Sequence, residues 1–370
     1  MTWWGRPRPP EDEEERRAPW RAGAELTDHS EEIRIALDVY DDELTKEERQ
    51  GKPPADEATR ARNAAARKAA RHAVELVLFA LAVIGAMAGL AVGWMHIVSD
   101  PLGDAHAYYD AASRLNAGLA LYPPDIDPST NRIYLYPPLF AVVLRPLALL
   151  PFELFALIWE LIVVTAFVLL LRRLGTHKKS TWIAVGILGV PIAWALTIAQ
   201  AHVPMTLLMA IGQPWSIAVA ANVKLFPALL VFFWLGRREL ESAVAFLVWT
   251  VLLVAAQLIV EPNGTLSFFG SVGFAQLGDV RNISPFTLSP LAWYVLLFVG
   301  CAAIVVTARL RWGWALAVTV ATLAPPRLLT YMLTSLLAGV RRPRTETEPI
   351  AENEAEELWD PAIVYVRSYR

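Results

Sequence analysis

Cysteine is almost absent from this 370-residue sequence. The single copy, Cys301, stands in an apolar run, which excludes a disulfide framework and any metal site built on paired cysteines. No Gly-Lys-Ser or Gly-Lys-Thr phosphate loop, dinucleotide fingerprint or His-Glu-x-x-His pair occurs, so the usual nucleotide-binding and zinc-hydrolase signatures are missing. His106 and His202 have no partner at ligand spacing, and neither a metal nor another cofactor is expected. The N-terminus lacks the basic stretch, short apolar core and cleavage site of a signal peptide and is expected not to be one. There is no internal repeat at a period of about 20 to 50 residues, and no basic footprint that would suit nucleic acid.

Charge is scarce in the middle of the chain. Residues 73–340 hold 26 charged side chains, whereas 43 of the 69 lie in residues 1–72 and 341–370. This contrast predicts three regions. Residues 1–72, with 17 acidic and 14 basic side chains, have too little apolar area to offset their ordering entropy and should be disordered or solvated-helical in the cytoplasm. Residues 73–340 should form a transmembrane domain, and 341–370 a charged cytoplasmic tail. Residues 58–72 carry Arg60, Arg62, Arg67, Lys68 and Arg71 without an acid, which predicts a helix entering the first span from the cytoplasm.

Apolar runs at 73–98, 139–151, 152–171, 181–199, 203–212, 214–235, 240–260, 290–308, 312–324 and 327–340 predict an all-α, polytopic membrane protein. Arg172-Arg173, Lys178-Lys179, Arg237-Arg238, Arg309 with Arg311, and Arg341-Arg342 are read as cytoplasmic. Parity then forbids 139–151 from crossing, so that segment should lie along the outer interface beside a surface helix at 104–117. About ten crossings follow, with 203–235 broken at Gln213-Pro214 and before Pro227. Short, broken helices at membrane depth imply a polar cavity.

This topology collects Asp104, His106, Tyr108, Tyr109, Asp110, Tyr136, Arg145, Gln200, His202, Lys224 and Arg327 on the outer side. One carboxylate among several cations suits activation of a hydroxyl and stabilisation of a phosphate leaving group. Asp104 reads as a general base or as a helix N-cap. Tyr108 shares its face, and the tyrosines of Tyr134-Leu135-Tyr136-Pro137-Pro138 read as substrate-stacking or interfacial aromatics. Lys224 and Arg327 contact phosphate or snorkel to headgroups. Glu160 faces the cavity or a helix partner. Asn263-Gly264-Thr265 and Asn282-Ile283-Ser284 have the form of glycosylation sequons.

The run Asp104-x-x-x-Tyr108-Tyr109-x-Ala111-Ala112, then Gly118, Leu121-Tyr122, Tyr134-Leu135-Tyr136-Pro137-Pro138-Leu139 and Arg145-Pro146-Leu147-Ala148-Leu149-Leu150-Pro151, resembles glycosyltransferase family 87. These are membrane transferases of the GT-C type and include bacterial polyprenyl-phosphate-mannose-dependent α-1,2-mannosyltransferases. Ala220-Ala221-x-x-Lys224-x-x-Pro227 and Pro325-Pro326-Arg327-Leu328-Leu329 are similar to later markers of the family. The resemblance implies a GT-C-like fold with Asp104 as the catalytic aspartate of the first external loop. Substrate contacts are then expected from His106, Tyr108, Tyr109, Tyr136, Arg145, Gln200, His202, Lys224 and Arg327. It further implies a polyprenyl-phosphate sugar donor, a glycolipid or glycan acceptor, membrane lipids as surroundings, and a multi-pass protein of the plasma membrane with an extracytoplasmic site and both termini cytoplasmic. The family's Gly-Gln appears here as Ala199-Gln200, and the segment after it is shortened. A small-molecule or lipid transporter, which also uses broken helices, and a non-catalytic scaffold remain competing readings.

Overall fold

A computed structural model describes residues 57–99, 101–123, 133–270, 277 and 280–343. The expectations for residues 1–56 and for the tail beyond 343 lie outside the described residues. By internal contact the chain divides into Met1–Glu75 and Leu76–Arg370. The described part of the first unit is helical. The second contains the remaining elements and the site discussed below.

Every regular element among the described residues is helical. The first five are α1 (Glu57–Ser99), α2 (Gly103–Asn116), α3 (Pro138–Leu144), α4 (Phe152–Leu174) and α5 (Lys179–Ile187). Next come α6 (Gly189–Thr197), α7 (His202–Ile211), α8 (Pro214–Val223), α9 (Val231–Arg237), α10 (Leu240–Val260) and α11 (Pro262–Gly270). The series closes with α12 (Pro290–Thr307) and α13 (Gly313–Leu323), followed by a 3₁₀ helix at Thr330–Gly339. Shorter 3₁₀ turns occupy Leu147–Leu149, Phe226–Leu230 and Pro285–Thr287.

Four helices are long and apolar enough to cross a membrane: Thr59–Ser99, α4, α10 and α12. At about 1.5 Å per residue, even the 18 residues of α12 approach the roughly 30 Å of a hydrocarbon core. Their outer faces are apolar and uncovered: Leu90 is 77% exposed, Ile259 81% and Val306 80%. Such faces define an all-helical membrane protein, because lipid is the solvent that tolerates them.

The expected straight span at 181–199 is instead two helices, α5 and α6, bent by 70°. Pro191 has no N–H to offer the carbonyl four residues back, and Gly186 and Gly189 border the break. The same glycines permit contact with α1. A Cβ added to Gly85 would lie 2.4 Å from the Gly186 carbonyl oxygen, and one on Gly89 would lie 2.5 Å from Gly189 backbone. Small residues at four-residue spacing thus let two backbones approach, as in membrane helix pairs. With the bent pair counted once, five spans are long enough, and α7, α13 and the 3₁₀ helix at 330–339 are shorter.

Residues 139–151, expected along the outer interface, do not form a single long helix. That segment is the seven-residue α3 plus a 3₁₀ turn, bounded by Pro137-Pro138 and Pro151. The helix expected at 104–117 is α2, which Gly118 ends at φ +69°, a conformation that glycine adopts without strain. One core gathers α2, α3 and α4 around Tyr108, Tyr136, Phe155 and Trp159. A second packs α7, α8 and α13 around Met205, Ile217 and Trp314.

Candidate active site

Asp104 stands in the first turn of α2, not at its N-cap. The N-cap is Leu102, a non-glycine residue at φ +60°, and no side chain caps the helix. The amides of Leu102 and Asp104 instead donate to the carbonyls of Thr197 and Ile198, each at 3.1 Å. Orphan donors at the start of α2 therefore meet orphan acceptors at the end of α6. This leaves the Asp104 carboxylate available for other partners, so the capping reading of the sequence is replaced by a tertiary one.

The carboxylate's neighbour is Gln200. Its Nε2 donates to Asp104 Oδ2 at 2.6 Å, while its Oε1 accepts from the hydroxyl of Tyr108 at 2.7 Å and from that of Tyr136. Two hydroxyl donors on one side and a carboxylate on the other fix the orientation of the amide. Ala201 N–H donates to the Tyr108 oxygen at 3.1 Å, completing a cluster in which Tyr108 and Gln200 are fully buried. Burial, reinforced by the nearby Asp104 charge, pushes the ionisation of Tyr108 and Tyr136 well above the ordinary tyrosine value. Both remain neutral donors.

Ala199 explains why glycine suits the position before this glutamine. Its φ is +57°, so the chain turns through the left-handed region immediately ahead of Gln200, at a cost of about 1 to 2 kcal/mol for a residue with a Cβ. The indole of Trp159 donates to the Ala199 carbonyl at 2.7 Å and holds the turn.

Asp104 opens onto a cavity of about 420 Å³, whose wall also includes Tyr136, Lys224, Arg281, Arg327 and Tyr331. Its apolar part includes Trp194, Ile198, Val223 and Phe226. Lys224 caps α8 in extended conformation, where Pro227 prevents the helix from continuing. Its Nζ lies 3.4 Å from the Tyr331 hydroxyl and sits over the rings of Tyr136 and Tyr331, at 5.2 and 5.1 Å.

The structure sorts the sequence candidates into three groups. Asp104, Tyr136, Lys224 and Arg327 line the cavity. Tyr108, Gln200 and His202 stand behind its wall. The His202 Nε2 lies 2.7 Å from Ser335 Oγ and 3.1 Å from the Met332 carbonyl, bracing the segment that presents Tyr331. The remaining three are directed elsewhere. His106 stacks on Phe152 with ring centroids 3.6 Å apart, and Tyr109 donates to the Leu150 carbonyl. Arg145 Nε donates to Asn116 Oδ1 at 3.0 Å, joining the ends of α2 and α3. Asp110 is exposed.

Two further polar residues position the wall. Gln257 is buried in the apolar α10 and its Oε1 accepts from Leu139 N–H, a polar interruption that the sequence displayed. Asn282 is also buried, with its amide hydrogen-bonded to the backbone of Pro326 and Leu328. It therefore serves packing and not the glycan attachment suggested by its tripeptide. Among the described residues no group of three or more metal-ligating side chains occurs.

A cavity that brings a carboxylate and several cations together inside a helical membrane protein marks a broad class, membrane proteins with a polar interior site. Comparison with known proteins narrows it. Residues 134–340 match glycosyltransferase family 87, and the chain belongs to that family. A Mycobacterium tuberculosis protein named polyprenol-phosphate-mannose-dependent alpha-(1-2)-phosphatidylinositol pentamannoside mannosyltransferase is 28% identical over 224 residues, covering 54% of this chain and 51% of the relative. The Mycolicibacterium smegmatis protein of the same name is 27% identical over 226 residues, covering 55% and 54%. The chain thus spans about half the length of these curated relatives. No solved structure matches it.

Proposed function

We propose that this chain transfers mannose from a polyprenyl-phosphate donor to a hydroxyl of a glycolipid or glycan acceptor, with inversion and with Asp104 as general base. Family membership and the names of the two relatives support the donor and sugar. The observation that carries the chemistry is the shared cavity, which has the Gln200-bound Asp104 carboxylate on one part of its wall and Lys224 and Arg327 on another.

In the proposed reaction, Asp104 accepts the proton of the acceptor hydroxyl as that oxygen attacks the anomeric carbon. The bond from this carbon to the phosphate oxygen breaks, and the electron pair stays on the phosphate, beside Lys224 and Arg327. Charge lost at the carboxylate and gained at the phosphate is thereby matched on both sides of the cavity. The reaction so written uses no metal and no cofactor apart from the donor itself.

The topology belongs to the same proposal. Residues 73–340 form the catalytic domain, with residues 1–72 and 341–370 as cytoplasmic regions. The cavity opens to the extracytoplasmic side of the plasma membrane, where the donor's lipid tail enters from the bilayer. About ten crossings result when the short elements at 203–235, 312–324 and 327–340 are counted with the long helices.

The test is transfer from polyprenyl-phosphate-mannose by the reconstituted wild type and Asp104→Asn. Product from the wild type and its loss in the variant are expected. Undiminished transfer by Asp104→Asn contradicts the assignment of the base. Accumulation of substrate in proteoliposomes without a covalent product supports a transporter instead.

A further inference from the structure

Two loops are tied together at the cavity edge, and each carries an arginine. Asn282 Nδ2 donates to the carbonyls of Leu277 at 3.0 Å and Pro326 at 2.9 Å, while its Oδ1 accepts from Ser284 N–H at 3.0 Å and Leu328 N–H at 2.8 Å. The side-chain amide thus uses both donors and both acceptor positions. Ser284 Oγ donates to the Pro325 carbonyl at 2.9 Å, and Ile283 N–H to the Leu328 carbonyl at 2.9 Å. Asn282 and Ser284 are buried, at 8% and 1% exposure. Arg281 directly precedes this latch, Arg327 lies between two of the residues it grips, and both line the cavity.

The lining side chains of Lys224, Arg281, Arg327 and Asp104 leave a formal excess of two positive charges when Asp104 is ionised and Lys224 is protonated. A sugar phosphodiester carries one negative charge. Once its sugar–oxygen bond breaks, the electron pair remains on the phosphate, and the resulting monoester carries about −1.5 to −2 at neutral pH. A two-charge excess is therefore better matched to the departing group than to the intact donor, and contacts that strengthen as the bond breaks accelerate the reaction.

We propose that Arg281, held in place by the Asn282–Ser284 latch, is a phosphate-binding residue that favours the departing polyprenyl phosphate monoester over the intact phosphodiester donor. The inference rests on the transfer reading above. Arg281 is exposed at the edge of the cavity, so its replacement leaves the buried latch intact.

The experiment uses the full chain in lipid nanodiscs and compares wild type, Arg281→Gln, Arg281→Lys and Asn282→Ala. It reads the KM for polyprenyl-phosphate-mannose and the Ki for added polyprenyl phosphate. Arg281→Gln should raise Ki about tenfold and KM less than about threefold, because the lost charge-assisted contact is made chiefly to the monoester. Arg281→Lys should recover part of that loss, and Asn282→Ala should weaken product inhibition with Arg281 still present. An unchanged Ki in Arg281→Gln, or Ki and KM rising in parallel, overturns the proposal. A wild type that makes no product contradicts the transfer reading alone. Direct titration with polyprenyl phosphate, expected to bind about tenfold more weakly to Arg281→Gln, then decides the role of Arg281 by itself.

Discussion

Asp104 and Lys224 reach one cavity from contrasting surroundings. Asp104 sits within regular helix, its backbone tied to α6 and its carboxylate to a buried cluster of Gln200, Tyr108 and Tyr136. Lys224 sits where α8 stops, and Arg327 in a turn gripped by a neighbouring loop. A proton acceptor needs its oxygen held at a defined position and angle, so rigid, satisfied surroundings suit it. Phosphate recognition instead draws cations from several separate segments, because a charge acts over distance and the anion offers several oxygens.

The largest effect that would sharpen this contrast is on turnover. Asp104→Asn is expected to lower the transfer rate by about 10² to 10⁴, the range for loss of a general base. Gln200→Met keeps the side-chain length and removes the hydrogen bonds. It should lower kcat by about 10- to 100-fold while the donor KM stays within about threefold, as expected when a positioned group is released without loss of binding. A parallel rise in KM would show that Gln200 contacts the donor, breaking the distinction between the two sides.

A smaller effect concerns stability at high pH. The neutral forms of Tyr108 and Tyr136 are favoured in the folded protein, so their contribution is fully present below the ordinary tyrosine value of about 10. It is lost as pH rises from there toward the elevated folded value. The detergent-solubilised protein should lose Tm above about pH 10, and Tyr108→Phe should lose less over the same interval. Equal losses would place the alkaline transition elsewhere. The smallest effect is expected at His106: with its ring stacked on Phe152 away from the cavity, His106→Ala should leave transfer per folded molecule within about twofold.

Much of this arrangement was legible before the structure. Asp104 and Tyr108 are four residues apart and share one face of α2, while the same periodicity of about 100° per residue turns His106 roughly 200° away from Asp104. His106, Tyr109 and Arg145 share with Asp104 only their place between the first two expected spans: His106 and Tyr109 occupy other faces of α2, and Arg145 ends α3 bonded to Asn116. Breaks at Pro214 and before Pro227 followed from proline's missing donor, and the bend at Leu188 could have been read from Gly186, Gly189 and Pro191 in the same way. The latch was not legible. Its partners, Asn282 and residues 325–328, are more than forty positions apart and meet through backbone atoms, which leave no side-chain pattern to find. Gln200 was recognised as polar and outward, but its bridge between Asp104 and two tyrosines depends on a left-handed turn at Ala199 that its alanine does not announce.

Donor affinity and turnover measured together on Asp104→Asn and Lys224→Met test the division of labour most directly. The account predicts that Asp104→Asn binds polyprenyl-phosphate-mannose within about threefold of the wild type while turnover nearly vanishes, and that Lys224→Met weakens donor binding by about tenfold or more. If Asp104→Asn loses binding and turnover in equal proportion, while Lys224→Met binds normally, the cavity does not divide into a proton-accepting side and a phosphate-holding side.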